Sequence, residues 1–229
     1  MNTRYRSIAL LLALAGPAHA GGVLVPGVLG SLEVQVDSLR DVRFHTVVPQ
    51  KYDFSCGSAA LATLLNYHYG RPTTETTTFD GMFKVGDQDL IRAQGFSLLD
   101  MKHYLEEHEG LSSDGFRIGL TDLERLGVPA IAMVETRGYR HFVVVKGIAG
   151  GQVLVGDPSL GLRAYAGPAF TDIWVNGILF IIRDELDRGQ RQFNATESWS
   201  AVGRSPDHLA VNRDSLGSFT LNLPRAMDW

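Results

Sequence analysis

A single cysteine, Cys56, stands in 229 residues, so no disulfide can form within the chain. A chain of this length buries a sizeable core without disulfide or metal clips. Basic residues are outnumbered: 21 Lys and Arg against 25 Asp and Glu give a net charge of −4. That balance excludes the electrostatic footprint of a nucleic-acid or anionic-lipid binder. No Gly-Lys pair occurs, so there is no P-loop. With no cysteine pair, and with His103 and His108 five apart rather than four, no metal site is expected, and no cofactor. After residue 20 no run is long and apolar enough to span a bilayer.

The first twenty residues have the pattern of a secretory signal. Arg4 and Arg6 are basic, Ile8–Ala15 is a short apolar run, and Ala18-His19-Ala20 offers small residues for cleavage after Ala20. Removing 1–20 takes away two arginines and no acid, leaving −6. In a compartment where disulfides persist, structural cysteines come in pairs. The lone Cys56 is therefore either a small buried hydrophobe or a thiol kept for chemistry.

With 45% apolar and 20% charged residues, the chain reads as one globular domain. Residues 21–46 form an expected strand-rich extension, with runs at Val23–Val25 and Leu32–Val36. From 47 to 183 the pattern is helices first, then strands. Ser58–Tyr67, rich in Ala and Leu, predicts a mostly buried helix stopped by Gly70 and Pro72. Thr73–Phe79 reads as loop or helix start. Gln88–Gln94, Leu98–Glu107 and Thr121–Leu126 predict short helices, the last with Thr121 as N-cap and Glu124 completing a capping box. Runs rich in β-branched residues follow at Ala130–Val134, His141–Val145, Val153–Val155 and Ile178–Ile182. Gly138, Gly150-Gly151, Asp157-Pro158 and Asn176-Gly177 divide them as turns. This order predicts an α+β fold with an antiparallel sheet. Residues 184–229 form a polar tail, either mobile or laid across the domain through Trp199, Leu209, Phe219 and Leu221.

The chemistry centres on Cys56, placed just before the apolar helix. Unpaired N–H groups and about half a positive charge at a helix N-terminus favour a thiolate, which predicts a lowered thiol pKa. Gly57 keeps the surroundings open for an incoming backbone. A thiolate needs a proton acceptor that later donates. Of seven histidines, His68, His103 and His108 read as surface residues, while His45 has no distinguishing neighbour. His141 opens the most apolar strand, as a base held at a strand end or a half-buried structural His. Asp157 begins the turn after the next strand, within reach of His141 in an antiparallel pair; Asp-Pro is also an ordinary turn pair. Oxyanion donors are the Cys56 N–H and, six residues upstream, the Gln50 side chain.

Together these residues resemble the bacteriocin-processing, double-glycine-leader peptidases, a papain-like family. Gln50-Lys-Tyr-Asp-Phe-Ser-Cys56-Gly57-Ser-Ala-Ala60-Leu61 resembles the family's Cys motif, with Ser55 where Asp is usual. His141-Phe142-Val143-Val144-Val145 resembles its His motif and Gly156-Asp157-Pro158 its Asp motif. Gly95-Phe96-Ser97 with Asp100-Met101-Lys102 resembles the helical element between them. The resemblance covers 47–183. It implies a papain-like fold, with Cys56 as nucleophile, His141 as base then acid, Asp157 orienting His141, and Gln50 completing the oxyanion hole. Best-known members are the N-terminal domains of ATP-driven exporters; this chain has neither P-loop nor spans. It is similar to the free-standing peptidases that accompany functional-amyloid export systems. The expected activity is periplasmic cleavage of an exported peptide or protein with small residues near the cut, in contact with export-system or amyloid components. A binding or chaperone role on the same scaffold, and Cys–His amidase or acyltransferase chemistry, are the alternatives.

Overall fold

A computed structural model describes residues 22–27, 30–35 and 38–203. The expected signal segment 1–20 lies outside the described residues, as do His208, Leu209, Phe219 and Leu221. The N-terminal unit contains one antiparallel hairpin. Strand β1 (Gly22–Gly27) pairs with β2 (Gly30–Gln35), so that Val23 faces Val34 and Val25 faces Leu32.

The second unit starts at Leu39. It opens with α1 (Leu39–Phe44), a helix inside the stretch 21–46 that reads as a strand-rich extension. Next comes α2 (Cys56–His68), thirteen residues long and buried over most of its surface. Its composition explains this. Ala59, Ala60 and Ala62 let neighbouring elements approach, and Leu61, Leu64 and Leu65 fill the gaps at full burial. Each such leucine contributes about 1.5–3 kcal/mol. Helix α3 (Glu75–Val85) follows, with Thr74 as N-cap accepting from Thr77 N. Its Gly81 allows the Tyr104 ring to approach so closely that a Cβ would lie 2.3 Å from it.

Helix α4 (Gln88–Gln94) begins under an Asp87 cap, and α5 (Leu98–Tyr104) under a Ser97–Asp100 capping box. A π-helical turn at Leu105–Glu109 continues α5. Strand β3 (Ser113–Phe116) precedes α6 (Leu120–Leu126). Gly119 caps α6, not Thr121, so the expected capping box is not formed; the helix starts one residue earlier.

The sheet then builds through β4 (Ala130–Thr136), β5 (Tyr139–Ala149), β6 (Gln152–Asp157) and β7 (Gly161–Ala166). Helix α7 (Gly167–Ile173) and β8 (Trp174–Ile182) complete it, in the order β3-β8-β4-β5-β6-β7, all antiparallel. Two-residue turns at Arg137-Gly138 and Gly150-Gly151, both left-handed, make the β4–β5 and β5–β6 hairpins. Asn176-Gly177 proves to be a left-handed irregularity inside β8, where its register with β4 shifts, rather than a turn before it.

Both faces of this sheet are covered. Ile131, Phe142, Val144, Phe180 and Ile182 pack with α2, α3 and α5. The alternate residues Ala130, Ala132, Val143, Val145, Leu179 and Ile181 pack with Leu123 of α6, Phe170 of α7 and Phe193. A strand buried on both sides needs apolar residues at every position, which is why β5 reads Phe-Val-Val-Val.

Past residue 183 the chain is not only polar tail. Helices α8 (Leu186–Gln192) and α9 (Thr196–Gly203) form there, with Ala201 and Val202 buried beside Val47, Leu154 and Leu162. Trp199 lies against that cluster.

Candidate active site

Cys56 is the first residue of α2, at the end of a tight loop. Ser55 does not cap the helix; its hydroxyl turns back to donate to Tyr52 O at 3.0 Å. The loop therefore leaves the first N–H groups of α2 facing the thiol. Burial pushes the Cys56 thiol up, opposite to the lowering expected from a helix start alone. The backbone N–H groups of Phe142, Gly57 and Cys56 oppose that rise by favouring thiolate, and the Asp157 charge adds to it. Gly57 has a different purpose from the one expected. A Cβ there would lie 2.9 Å from Phe96 Cβ and 3.1 Å from Met101 Cε, so this glycine lets α2 seat against the α4–α5 segment.

The β5–β6 register pairs Val144 with Gly156. His141, three residues before Val144, and Asp157, one after Gly156, thus meet at the same end of the strand pair. His141 Nε2 lies 2.9 Å from Asp157 Oδ2, with both side chains almost fully buried. The turn after β6 fixes the carboxylate: its Oδ1 accepts from Ser159 N at 2.8 Å and Leu160 N at 3.1 Å. An ionised carboxylate only accepts, so Nε2 carries the proton and Nδ1 is left as the basic nitrogen. Nδ1 is buried and without a hydrogen-bond partner among the described residues.

Cys56 and His141 line one cleft of about 460 Å³ with Phe54, Phe96, Met133 and Phe142. A second cavity of about 620 Å³ shares Phe96, Met133 and Phe142 with it and continues along Leu90, Ile91 and Leu98. Room for an extended chain with apolar side chains therefore adjoins the thiol.

Gln50 is held between the turn that carries Asp157 and the loop before Cys56. Its backbone N donates to Pro158 O at 3.0 Å, its Oε1 accepts from Ser159 Oγ at 2.9 Å, and its Nε2 donates to Tyr52 O at 3.1 Å. The structure also brings in Tyr139, which the sequence did not single out. Its ring stacks on His141 with centroids 5.5 Å apart, and its hydroxyl donates to Asp53 O at 2.7 Å. Tyr139 thus ties the loop before Cys56 to the strand carrying His141. The available signal was its place two residues before His141, on the same side of the strand.

His68, expected on the surface, is buried at 1% exposure, whereas His108 is exposed. The exposed His45 is paired with Glu197. Among the described residues, no group of three or more His, Cys, Asp or Glu could hold a metal ion. No described helix is long and apolar enough to cross a membrane.

The model of the Peptidase C39 family matches residues 45–185, from the loop before Cys56 to the end of the sheet. The chain belongs to the Peptidase C39 family. A Pseudomonas aeruginosa protein named "Probable functional amyloid protease FapD" is 44% identical over 206 residues, covering 89% of this chain and 90% of that protein. A Pseudomonas fluorescens protein of the same name is 42% identical over 184 residues, 80% of each. The peptidase domain of Streptococcus ComA, part of a bifunctional ABC transporter, superposes with a TM-score of 0.50 at 23% identity, over 60% of this chain and 96% of that domain. That likeness gives the fold: the papain-like α+β arrangement expected from the sequence. As a C39 member, the chain is a peptidase of the cysteine class.

Proposed function

We propose that this C39 peptidase is exported by its N-terminal signal segment and acts in the periplasm as an endopeptidase, with Cys56, His141, Asp157 and Gln50 as its working residues. The substrate is an exported peptide or protein with small residues near the cut. The relatives named as functional amyloid proteases match over most of this chain, which supports a substrate within amyloid biogenesis.

One observation carries the reading: His141 is bonded through Nε2 to a fixed carboxylate, its Nδ1 has no partner among the described residues, and His141 lines the same cleft as Cys56. In the acylation step Cys56 Sγ attacks the peptide carbonyl carbon as its proton passes to Nδ1. The C=O bond opens to an oxyanion, which the Cys56 N–H and Gln50 Nε2 receive. For that, Nε2 must exchange Tyr52 O for the oxyanion. Collapse breaks the C–N bond, and the leaving amine takes the proton from Nδ1. Water then attacks the thioester with His141 again as base, releasing the acid and restoring the thiol.

The test compares wild type and Cys56→Ala in the native exported fraction. The alanine protein is used as a trap for a labelled substrate, with products identified by mass. Cleavage by wild type only, with one water added across the bond, is expected. Equal processing by both proteins would end the peptidase assignment to Cys56, and amide exchange without water would make it an acyltransferase.

A further inference from the structure

Helix α2 ends in a buried titratable residue. His68, its last residue, faces Lys146 of β5, five positions past His141; the two are 1% and 2% exposed. Lys146 Nζ donates to Thr46 O at 2.9 Å, lies 3.1 Å from His68 Nε2, and sits 5.2 Å above the Tyr67 ring. An ammonium only donates, so Nε2 accepts in that contact. Burial, and after it the Lys146 charge, hold His68 well below its ordinary range and keep it neutral. Its single proton is then on Nδ1. That N–H is buried and has no partner among the described residues.

A cavity of about 350 Å³ runs along this pair. Apart from His68, the charged or titratable groups in its wall are Lys146, Arg188 and Arg191 of α8, Glu197 of α9, and Tyr67. Glu197 is already paired with His45. The wall therefore has donors in excess: an ammonium, an imidazole N–H without an acceptor, and the Arg191 guanidinium, whereas Arg188 is already held by Tyr69 O and Glu185. A buried donor without an acceptor is destabilising, and a ligand that accepts from the His68 Nδ1–H would remove that penalty. Helices α8 and α9, which supply five of the twelve wall residues, lie past residue 185, where the family match ends.

We propose that this cavity binds a small oxyanion, a phosphate or a carboxylate, through Lys146, the His68 Nδ1–H and Arg191. The site is separate from the cleft and does not rest on the peptidase assignment. Burial lowers Lys146 to about 7, and an anion beside it offsets that desolvation.

The test titrates the full-length protein near pH 6.5 with sodium phosphate and, separately, sodium acetate. Sodium chloride at matched ionic strength removes general screening. Calorimetry and melting temperature are the readouts. Phosphate, acetate or both should bind and raise the melting temperature beyond chloride; which of them does so assigns the ligand class. Arg191→Ala, at an exposed position that leaves folding intact, should weaken binding about 10-fold, as loss of a charged hydrogen bond does. Lys146→Met should abolish it, and Cys56→Ala should bind as wild type does. No binding of either probe by wild type, or equal binding by Arg191→Ala, overturns the proposal.

Discussion

Cys56 and His68 are the two ends of one helix, and each is placed with a residue of the same strand: Cys56 lines a cleft with His141, and His68 lies against Lys146. The ends share scaffold and burial but differ in partners. At the Cys56 end, His141 is given a carboxylate on one nitrogen and left free on the other, while three backbone N–H groups surround the thiol. A proton has somewhere to come from and somewhere to go. At the His68 end two bases share one contact with no carboxylate bonded to either, and burial dominates. Lys146 falls from 10.5 to about 7, a cost of about 5 kcal/mol. The negative end of the helix dipole favours a cation by only about 0.3–1 kcal/mol, so desolvation wins there. Position on a helix end therefore does not make a buried group reactive; the next residue along the proton path does.

The widest separation between the two ends is expected in turnover. Cys56→Ala should lower the rate of peptide cleavage by about 10³-fold or more. Lys146→Met, folded by circular dichroism, should keep kcat/KM within about threefold. A collapse of activity in Lys146→Met would show that the far end takes part in catalysis and would break the contrast. A smaller effect sharpens the reactive end. Gln50→Ala should lower kcat by about 10²-fold with little change in KM, as loss of an oxyanion donor does. A wild-type rate would leave Gln50 as a support for the Asp157 turn, where its contacts to Pro158 and Ser159 already place it.

The geometry of the Cys56 end was largely legible in the sequence, and the other end was not. Cys56 before an Ala-Leu helix, His141 opening an apolar strand and Asp157 in the following turn are all local signals, and the β5–β6 hairpin joins the last two. His68 read as a surface residue because its sequence neighbours are polar. What buries it is Lys146, 78 residues away, and the two C-terminal helices. Those helices read as a polar tail because α8 is exposed along most of its length; only Gly189 is buried in it. Helix α3 was half seen, since Thr76, Thr77, Thr78 and Gly81 are poor helix formers, and tertiary packing of Gly81 on Tyr104 overrides them. Strands β3 and β7 were missed because both are short edge strands, with β7 entered through Gly161.

The smallest expected effect separates the ends by the sign of a pH dependence. In the unfolded chain Lys146 titrates near 10.5 and in the folded protein at about 7. Between those values the unfolded state binds one proton more, so unfolding free energy rises with pH, by up to about 1.4 kcal/mol per unit. Below about 7 both states hold the proton and the full penalty stands. Cys56 works in the opposite sense: its thiol is pushed up on folding, so its contribution is lost as pH rises past the folded value. Urea unfolding of wild type and Lys146→Met at pH 6, 7, 8 and 9 isolates the lysine together with its effect on His68, because groups away from that pair, Cys56 included, cancel in the difference. Wild type should gain about 1 kcal/mol on the variant between pH 7 and 8 and more by pH 9, with only about 0.4 kcal/mol from pH 6 to 7. A difference that stays flat through pH 9 would mean that Lys146 keeps its proton when folded. Its contacts with Thr46, His68 and Tyr67 would then outweigh burial, and the two ends of α2 would differ in chemistry but not in which force governs them.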